Sequence, residues 1–264
     1  MCLPLKRKLP SITNKVYPAA AICLLLALWE AVCAWELVPA FMLPAPSAVA
    51  RAFVQDFPAL MLHSRTTLLE AFLGLALGVI TGFLAALLMD TFSWVHKALY
   101  PLLVITQTIP TVAIAPLLVL WLGYEMAPKV VLIVIVTFFP IAVGLFDGFQ
   151  SADPDTIRLL RSMGASRFQI FRHIKLPGSM NRFFSSLRIS VSYSVVGAVI
   201  SEWLGGFEGL GVYMTRVRKA YAFDRMFAVI LFIVVVSLLL MALVTLLRRL
   251  AMPWEAYEKI ERND

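Results

Sequence analysis

The chain has 264 residues, 61% hydrophobic and 15% charged, with a formal net charge of +7 and a mean hydropathy of +0.85. A soluble domain is about 45–50% apolar and about 25% charged, so this composition excludes a water-soluble globule. An integral membrane protein is expected, of a length that suits one domain of about five to seven helices at about 20 residues per span. In such a protein a positive balance reflects basic loops kept on the cytoplasmic side, not nucleic-acid binding, so the position of each charge matters more than the sum.

Residues 1–16 carry Lys6, Arg7, Lys8 and Lys15, ahead of an apolar run from about Pro18 to Trp35. The run is long and no small-residue cleavage site follows it, so it reads as a first span with its N-terminus inside rather than as a signal peptide. Residues 37–65 hold Pro39, Pro44, Pro46 and Pro58, and between them Ser47 to Phe57 can form a short helix capped by Ser47. Cys2, Cys23 and Cys33 support neither a disulfide framework nor a metal site. His63, His96 and His173 are far apart and read as solvated loop residues, so neither a metal nor a catalytic set is expected.

The second span is about Thr66 to Met89. Gly74, Gly78 and Gly82 recur every fourth residue and fall near one helix face, where small residues let another backbone approach. The stretch from Val95 to Leu122 would be about 42 Å long as one helix at about 1.5 Å per residue, but Pro101, Pro110 and Pro116 interrupt it. Thr106, Gln107, Thr108 and Thr111 cluster at the middle break. Irregular backbone at membrane depth is tolerated where it is buried in protein or lines a wet cavity. These four residues are therefore one candidate lining of a translocation path; threonines bonded back to a kinked packing helix are the other reading.

A fourth span is expected over about Lys129 to Phe146. The polar interval from Asp153 to Pro177 follows. Asp153 can cap a helix that has Pro154 at its first position. Ile157, Leu160 and Leu159, Met163 give it apolar pairs, and Gly164 sits where a left-handed residue ends a helix. Ser166 and Gln169 form a capping box for a second helix, which Phe168, Phe171 and Ile170, Ile174 stripe and Pro177 is expected to stop. The expectation is two short amphipathic helices in a V. A fifth span follows over about Phe183 to Leu204, serine-rich, with Ser194 inside it and Glu202 near its end; both are further path candidates, and a wet residue at the membrane boundary is the other reading of Glu202. Residues 205–224 give a glycine-rich turn and a short basic amphipathic piece, and a sixth span is expected over about Met226 to Leu247.

With the N-terminus inside, Lys and Arg number 16 on the inner loops and tails against 7 outside. That ratio favours cytoplasmic termini and a cytoplasmic 153–177 interval. The domain plan is a tail at 1–16, a transmembrane domain at 17–250 with a loop at 150–178, and a second tail at 251–264. No Gly-x-x-x-x-Gly-Lys-Ser/Thr loop is present, so ATP phosphates are not cradled by this chain.

Gly164, nine residues, Ile174, any residue, Leu176 and Pro177 match the right half of the EAA signature of bacterial ABC importer permeases. The chain resembles that family from about Trp29 to its end, and most resembles the branch importing nitrate, sulfonates, taurine and pyrimidine precursors of thiamine. Arg158, Leu159 and Leu160 occupy the Glu-Ala-Ala positions, so the left half departs and two small residues become large. The resemblance implies an all-α fold of about six spans in the bacterial inner membrane, a homodimer with the path between copies, and two ATPase subunits that hold ATP and Mg. It also implies an external solute-binding protein. Docking to the ATPase would fall to Arg158, Leu159, Leu160, Gly164, Ala165, Phe168, Phe171, Ile174, Leu176 and Pro177. An ion-coupled secondary transporter, the alternative, would show internal repeats with paired interrupted helices; one interrupted helix is visible.

Overall fold

The structure, a computed structural model, describes residues 13–39 and 41–253. Most of the expected tail at 1–16, and all but the start of the one at 251–264, lie outside the described residues. In chain order the helices are α1 (Thr13–Ala34), α2 (Pro46–Gln55), α3 (Phe57–Thr91), α4 (Ser93–Thr106), α5 (Thr111–Leu122) and α6 (Met126–Gln150). There follow α7 (Pro154–Ser162), α8 (Arg167–Ile170), α9 (Leu176–Gly205), α10 (Leu210–Lys219) and α11 (Phe223–Ala251). Among the described residues, five helical stretches are long and apolar enough to cross a membrane, and six if the bent pair α4–α5 counts as one.

The centre of the bundle is α6, with α3 on one side and α9 on the other. Gly74, Gly78 and Gly82 of α3 face Ile133, Thr137 and Ile141 of α6. A Cβ on Gly82 would lie 2.8 Å from the Ile141 Cγ2 and 3.1 Å from the Phe138 carbonyl oxygen, so the absent side chain sets the helix separation. The opposite seam reverses the roles. Gly144 and Gly148 of α6 receive Ser186 and Ser179 of α9, and a Cβ on Gly148 would sit 2.6 Å from the Ser179 Cβ. Lipid tails are as apolar as Leu, so helix association in a bilayer depends on such close packing more than on burial of apolar area.

Around this core, α11 lies against α9 and α2, and α10 fills the angle between α9 and α11. Trp29 of α1 meets Phe227 of α11 with ring centroids 5.7 Å apart. At the other end Ala86, Met89, Leu103, Leu145 and Phe149 form a buried apolar cluster that joins α3, α4 and α6.

Two local expectations change. Ser47 does not cap α2, which begins at Pro46 with Ala45 at the cap position. Its hydroxyl and backbone N–H instead donate to the Glu30 carboxylate of α1, at 2.8 and 3.1 Å. Pro177 does not stop a helix either. The backbone runs on from α8 through a π-helical turn, Phe171–Lys175, into α9. In that turn the Leu176 N–H donates to the Phe171 carbonyl, five residues back. The wider turn accommodates a proline that lacks its own N–H and whose ring would otherwise crowd the carbonyl four residues earlier.

Candidate functional site

The α7–α8 element is built by local chemistry. The Asp153 carboxylate accepts from the Asp155 and Thr156 N–H groups and from the Thr156 hydroxyl, the last at 2.6 Å. The hydroxyl bond first, then the two amides, hold this carboxyl below the usual carboxylate range. At the far end Gly164 has φ +85°. The Ala165 N–H reaches the Leu160 carbonyl and the Gly164 N–H the Arg161 carbonyl, both at 3.0 Å, which is a Schellman closure. Ser166 and Gln169 then form the reciprocal capping box.

The base of this element is pinned to the bundle. Lys175 in the π turn pairs with Asp90 at the end of α3, 2.6 Å away, and Gln150 at the end of α6 donates to the same carboxylate at 3.1 Å. Phe171 meets Phe149 edge to face at 5.3 Å, and Ile170 is buried. Ile157, Leu160, Ala165, Ile174 and Leu176 are half-buried, whereas Arg158, Gly164 and Pro177 are exposed. Arg158 pairs with Asp155 at 3.2 Å on the surface. The outer face is apolar: Leu159, Met163 and Phe168 are 61%, 74% and 67% exposed. Two capped helices that hold large apolar side chains in solvent make a rigid surface suited to a protein partner.

The break between α4 and α5 bends the chain by 100°. Thr106, Gln107 and Thr108 are exposed there and Thr111 is half-buried. The hydroxyls of Thr106 and Thr108 donate to the Leu103 and Ile105 carbonyls, at 2.7 and 2.8 Å. The hydroxyls thus satisfy a kinked backbone, and the residues around the break stay largely exposed on this chain.

Ser194 and Glu202 are elsewhere. Both are buried inside the bundle, and the Ser194 hydroxyl donates to the Val191 carbonyl at 2.9 Å. The Glu202 carboxylate accepts from the Thr67 hydroxyl at 2.7 Å and the Gly211 N–H at 2.6 Å. Thr67 accepts in turn from the Leu210 N–H at 2.9 Å. A Cβ on Gly209, at φ +122°, would collide with the Glu202 carboxylate. Glu202 therefore organises the turn between α9 and α10.

Sequence reasoning missed the nearby ion pair of Lys129 and Glu70, both buried, at 2.6 Å. The signal was available, since Glu70 is the lone carboxylate between Thr66 and Met89. It missed two rings as well. His63 stacks on Tyr213 at 5.2 Å and accepts from the Gly209 N–H, and His96 stacks on Phe146 at 4.5 Å, so neither is a solvated loop residue. The Tyr213 hydroxyl donates to Asp56 at 2.7 Å. Burial first, then Asp56, push that phenol up to about 12, so it remains a donor throughout the physiological range. Among the described residues no group of His, Cys, Asp and Glu could hold a metal ion.

Residues 78–252 match the family described as binding-protein-dependent transport system inner membrane component. A probable ABC transporter permease protein of Haemophilus influenzae is 38% identical over 84% of this chain and 91% of its own length. The formylaminopyrimidine transport permease protein ThiX of Halalkalibacterium halodurans is 35% identical over 90% of this chain and 95% of its own. In the solved structure of an amino acid ABC transporter with histidines, a chain superposes with a TM-score of 0.59 at 18% identity, covering 75% of this chain and 94% of that one. The apolar bundle, the helix-gripped loop with its Gly-to-Leu-Pro spacing and the full-length relatives converge: the chain belongs to the binding-protein-dependent inner membrane components, the multi-pass permease subunits of ABC importers.

Proposed function

We propose that the α7–α8 element is the cytoplasmic surface gripped by an ATPase subunit, and that two copies of this chain, each on its own ATPase, form the importer. The observation that carries this reading is the exposure of Leu159 and Met163 on α7, which is closed at both ends, and of Phe168 on α8, whose start is capped. The ion pair of Lys175 and Asp90 supports transmission, because it joins the element directly to the end of α3. Movement of the element on ATP binding would reach α3 and α9 together. ATP and Mg would be held by the ATPase, and a solute-binding protein would deliver solute from outside.

The orientation proposed has both termini in the cytoplasm, which the distribution of Lys and Arg supports. The path would run between copies along the outward-facing break, with Thr106, Gln107, Thr108 and Thr111 beside it. Hydroxyls and an amide without a deep charge there suit a small polar or anionic solute. A pyrimidine-type thiamine precursor is the first choice, supported by the relative named for formylaminopyrimidine; sulfonates, taurine or nitrate come second.

The test is co-purification in mild detergent of wild type against a variant with residues 155–173 replaced by a Gly/Ser linker. An ATPase captured by the wild type and lost from the variant is the expected result. Capture by both would place the docking surface elsewhere, and capture by neither would remove the ATPase reading.

A further inference from the structure

A cavity of about 280 Å³ opens between the last turn of α3 and the α7–α8 element. The docking face proposed for the ATPase shares Phe168 with this cavity, but Arg161 and Arg167 are not among its residues. Its charged groups are Asp90, Lys175, Arg161 and Arg167. Asp90 is already neutralised, since Lys175 donates to both of its oxygens at 2.6 and 2.9 Å. Arg161 and Arg167 have no ion-pair partner among the described residues. Two guanidiniums therefore line a cavity whose own acid is already taken. The rest of the lining is largely apolar, with Leu87 from α3, Phe168 and Ile170 from α8 and Phe171 from the π turn.

Position narrows the ligand. Leu87 and Thr91 belong to the final turn of a helix long and apolar enough to cross a membrane, and its apolar run ends at Met89, just before Asp90, so the cavity opens at the end of that run. Guanidinium groups bind phosphate oxygens through paired N–H donors, a geometry that ammonium groups do not reproduce. A free phosphate would leave the apolar half of the lining facing water. A lipid phosphate brings glycerol and methylene groups to cover it.

We propose that this cavity binds the phosphate of an anionic phospholipid. Arg161 and Arg167 hold the phosphate oxygens, and Leu87 and Phe171 pack on the glycerol end. Basic pockets between the ends of spanning helices are a known mode of headgroup recognition. The bound lipid would bridge α3, α7 and α8, and so fix the resting position of the element beside the pair of Lys175 and Asp90. The proposal rests on membrane placement and the cavity, not on ATPase docking.

The experiment is native mass spectrometry of the detergent-purified chain titrated with phosphatidylglycerol or phosphatidylcholine. The expected result is preferential retention of phosphatidylglycerol, weakened about tenfold in R161Q/R167Q and unchanged in R172Q, whose arginine is outside the cavity. R161K/R167K keeps the charge and should bind with intermediate strength, and it serves if the glutamine variant fails to fold. Millimolar inorganic phosphate should not displace the lipid; displacement would mean a free-anion site and overturn the proposal. Equal retention of both lipids by the wild type would overturn it. So would unchanged phosphatidylglycerol binding by R161Q/R167Q with loss of ATPase capture, which would make the arginines protein contacts.

Discussion

Lys129 on α6 donates to Glu70 on α3 at 2.6 Å, with the two side chains 7% and 1% exposed. Glu202 stands in the same polar core, and the second oxygen of Glu70 is buried with no hydrogen-bond donor. Lys129 bonds Glu70, while Glu202 is held by the Thr67 hydroxyl and the Gly211 N–H. Removing one partner of a buried pair leaves an uncompensated charge and costs about 3–5 kcal/mol, whereas replacing both members is often near neutral. Lys129→Met should accordingly lower the melting temperature in detergent sharply. Lys129→Met combined with Glu70→Gln should recover a large part of the loss. A double variant as unstable as the single one would show that packing around Lys129, not its charge, is what matters.

The glycine seam makes a second prediction. A Cβ on Gly78 would overlap the Thr137 hydroxyl and stand 3.1 Å from the Thr137 Cβ. Overpacking of this kind costs about 1–3 kcal/mol. Gly78→Ala should therefore destabilise the bundle by that order. Thr137→Ala on the facing helix should restore part of the loss, because it removes the overlapping oxygen and leaves only a tight carbon contact. Thermal unfolding of the two single variants and the double variant measures the coupling directly.

How much was legible in the sequence follows the range of each rule. The caps of Asp153 and Ser166, the left-handed Gly164, the glycine face of α3 and the break before Thr111 all depend on residues within one or two helical turns, and all are present in the structure. The misreadings share another cause. Ser47 satisfies the rule for a cap, but Glu30, 17 residues away, takes its hydroxyl. Pro177 satisfies the rule for a stop, but a π turn, with Lys175 held by Asp90, carries the helix past it. The wet reading of Glu202 follows from its place near a span end, yet Thr67, 135 residues away, and the α9–α10 turn enclose it. For Ser47 and Glu202 a partner distant in sequence set the outcome, and for Pro177 a widened turn did; the local pattern has no term for either.

Acid should loosen α7 specifically. The folded-state pKa of Asp153 is depressed from a reference value of 3.8 by the Thr156 hydroxyl and two amides. For a depressed carboxyl the stabilisation is fully present above the unfolded pKa and is lost as pH falls through the folded one. The cap should therefore be unchanged from pH 7 down to about 5 and weaken only below about 4. Hydrogen-exchange protection of the Asp155–Ile157 amides, corrected for intrinsic rates, should follow that course. Asp153→Ala should show low protection at every pH, and protection in that variant equal to wild type would mean that Pro154 and the preceding turn suffice to start the helix.

Gly164 separates folding from coupling. Its φ of +85° closes α7, and a Cβ there would meet nothing within 4 Å. A substitution is thus penalised by backbone conformation alone and not by a clash. A left-handed β-branched residue costs at least about 1–2 kcal/mol, enough to open the Schellman turn but not to unfold a bundle held by α3, α6 and α9. Gly164→Val should insert in the membrane and melt close to wild type, while the angle between α7 and α8 relaxes. Reconstituted with its ATPase and binding protein, it should hydrolyse ATP with transport reduced at least tenfold per ATP. Gly164→Asn, which tolerates the left-handed region, should retain most of the coupling. Equal coupling in the valine and asparagine variants would show that the turn transmits force whatever its backbone conformation, and that rigidity between the two short helices is not what links the ATPase to the spans.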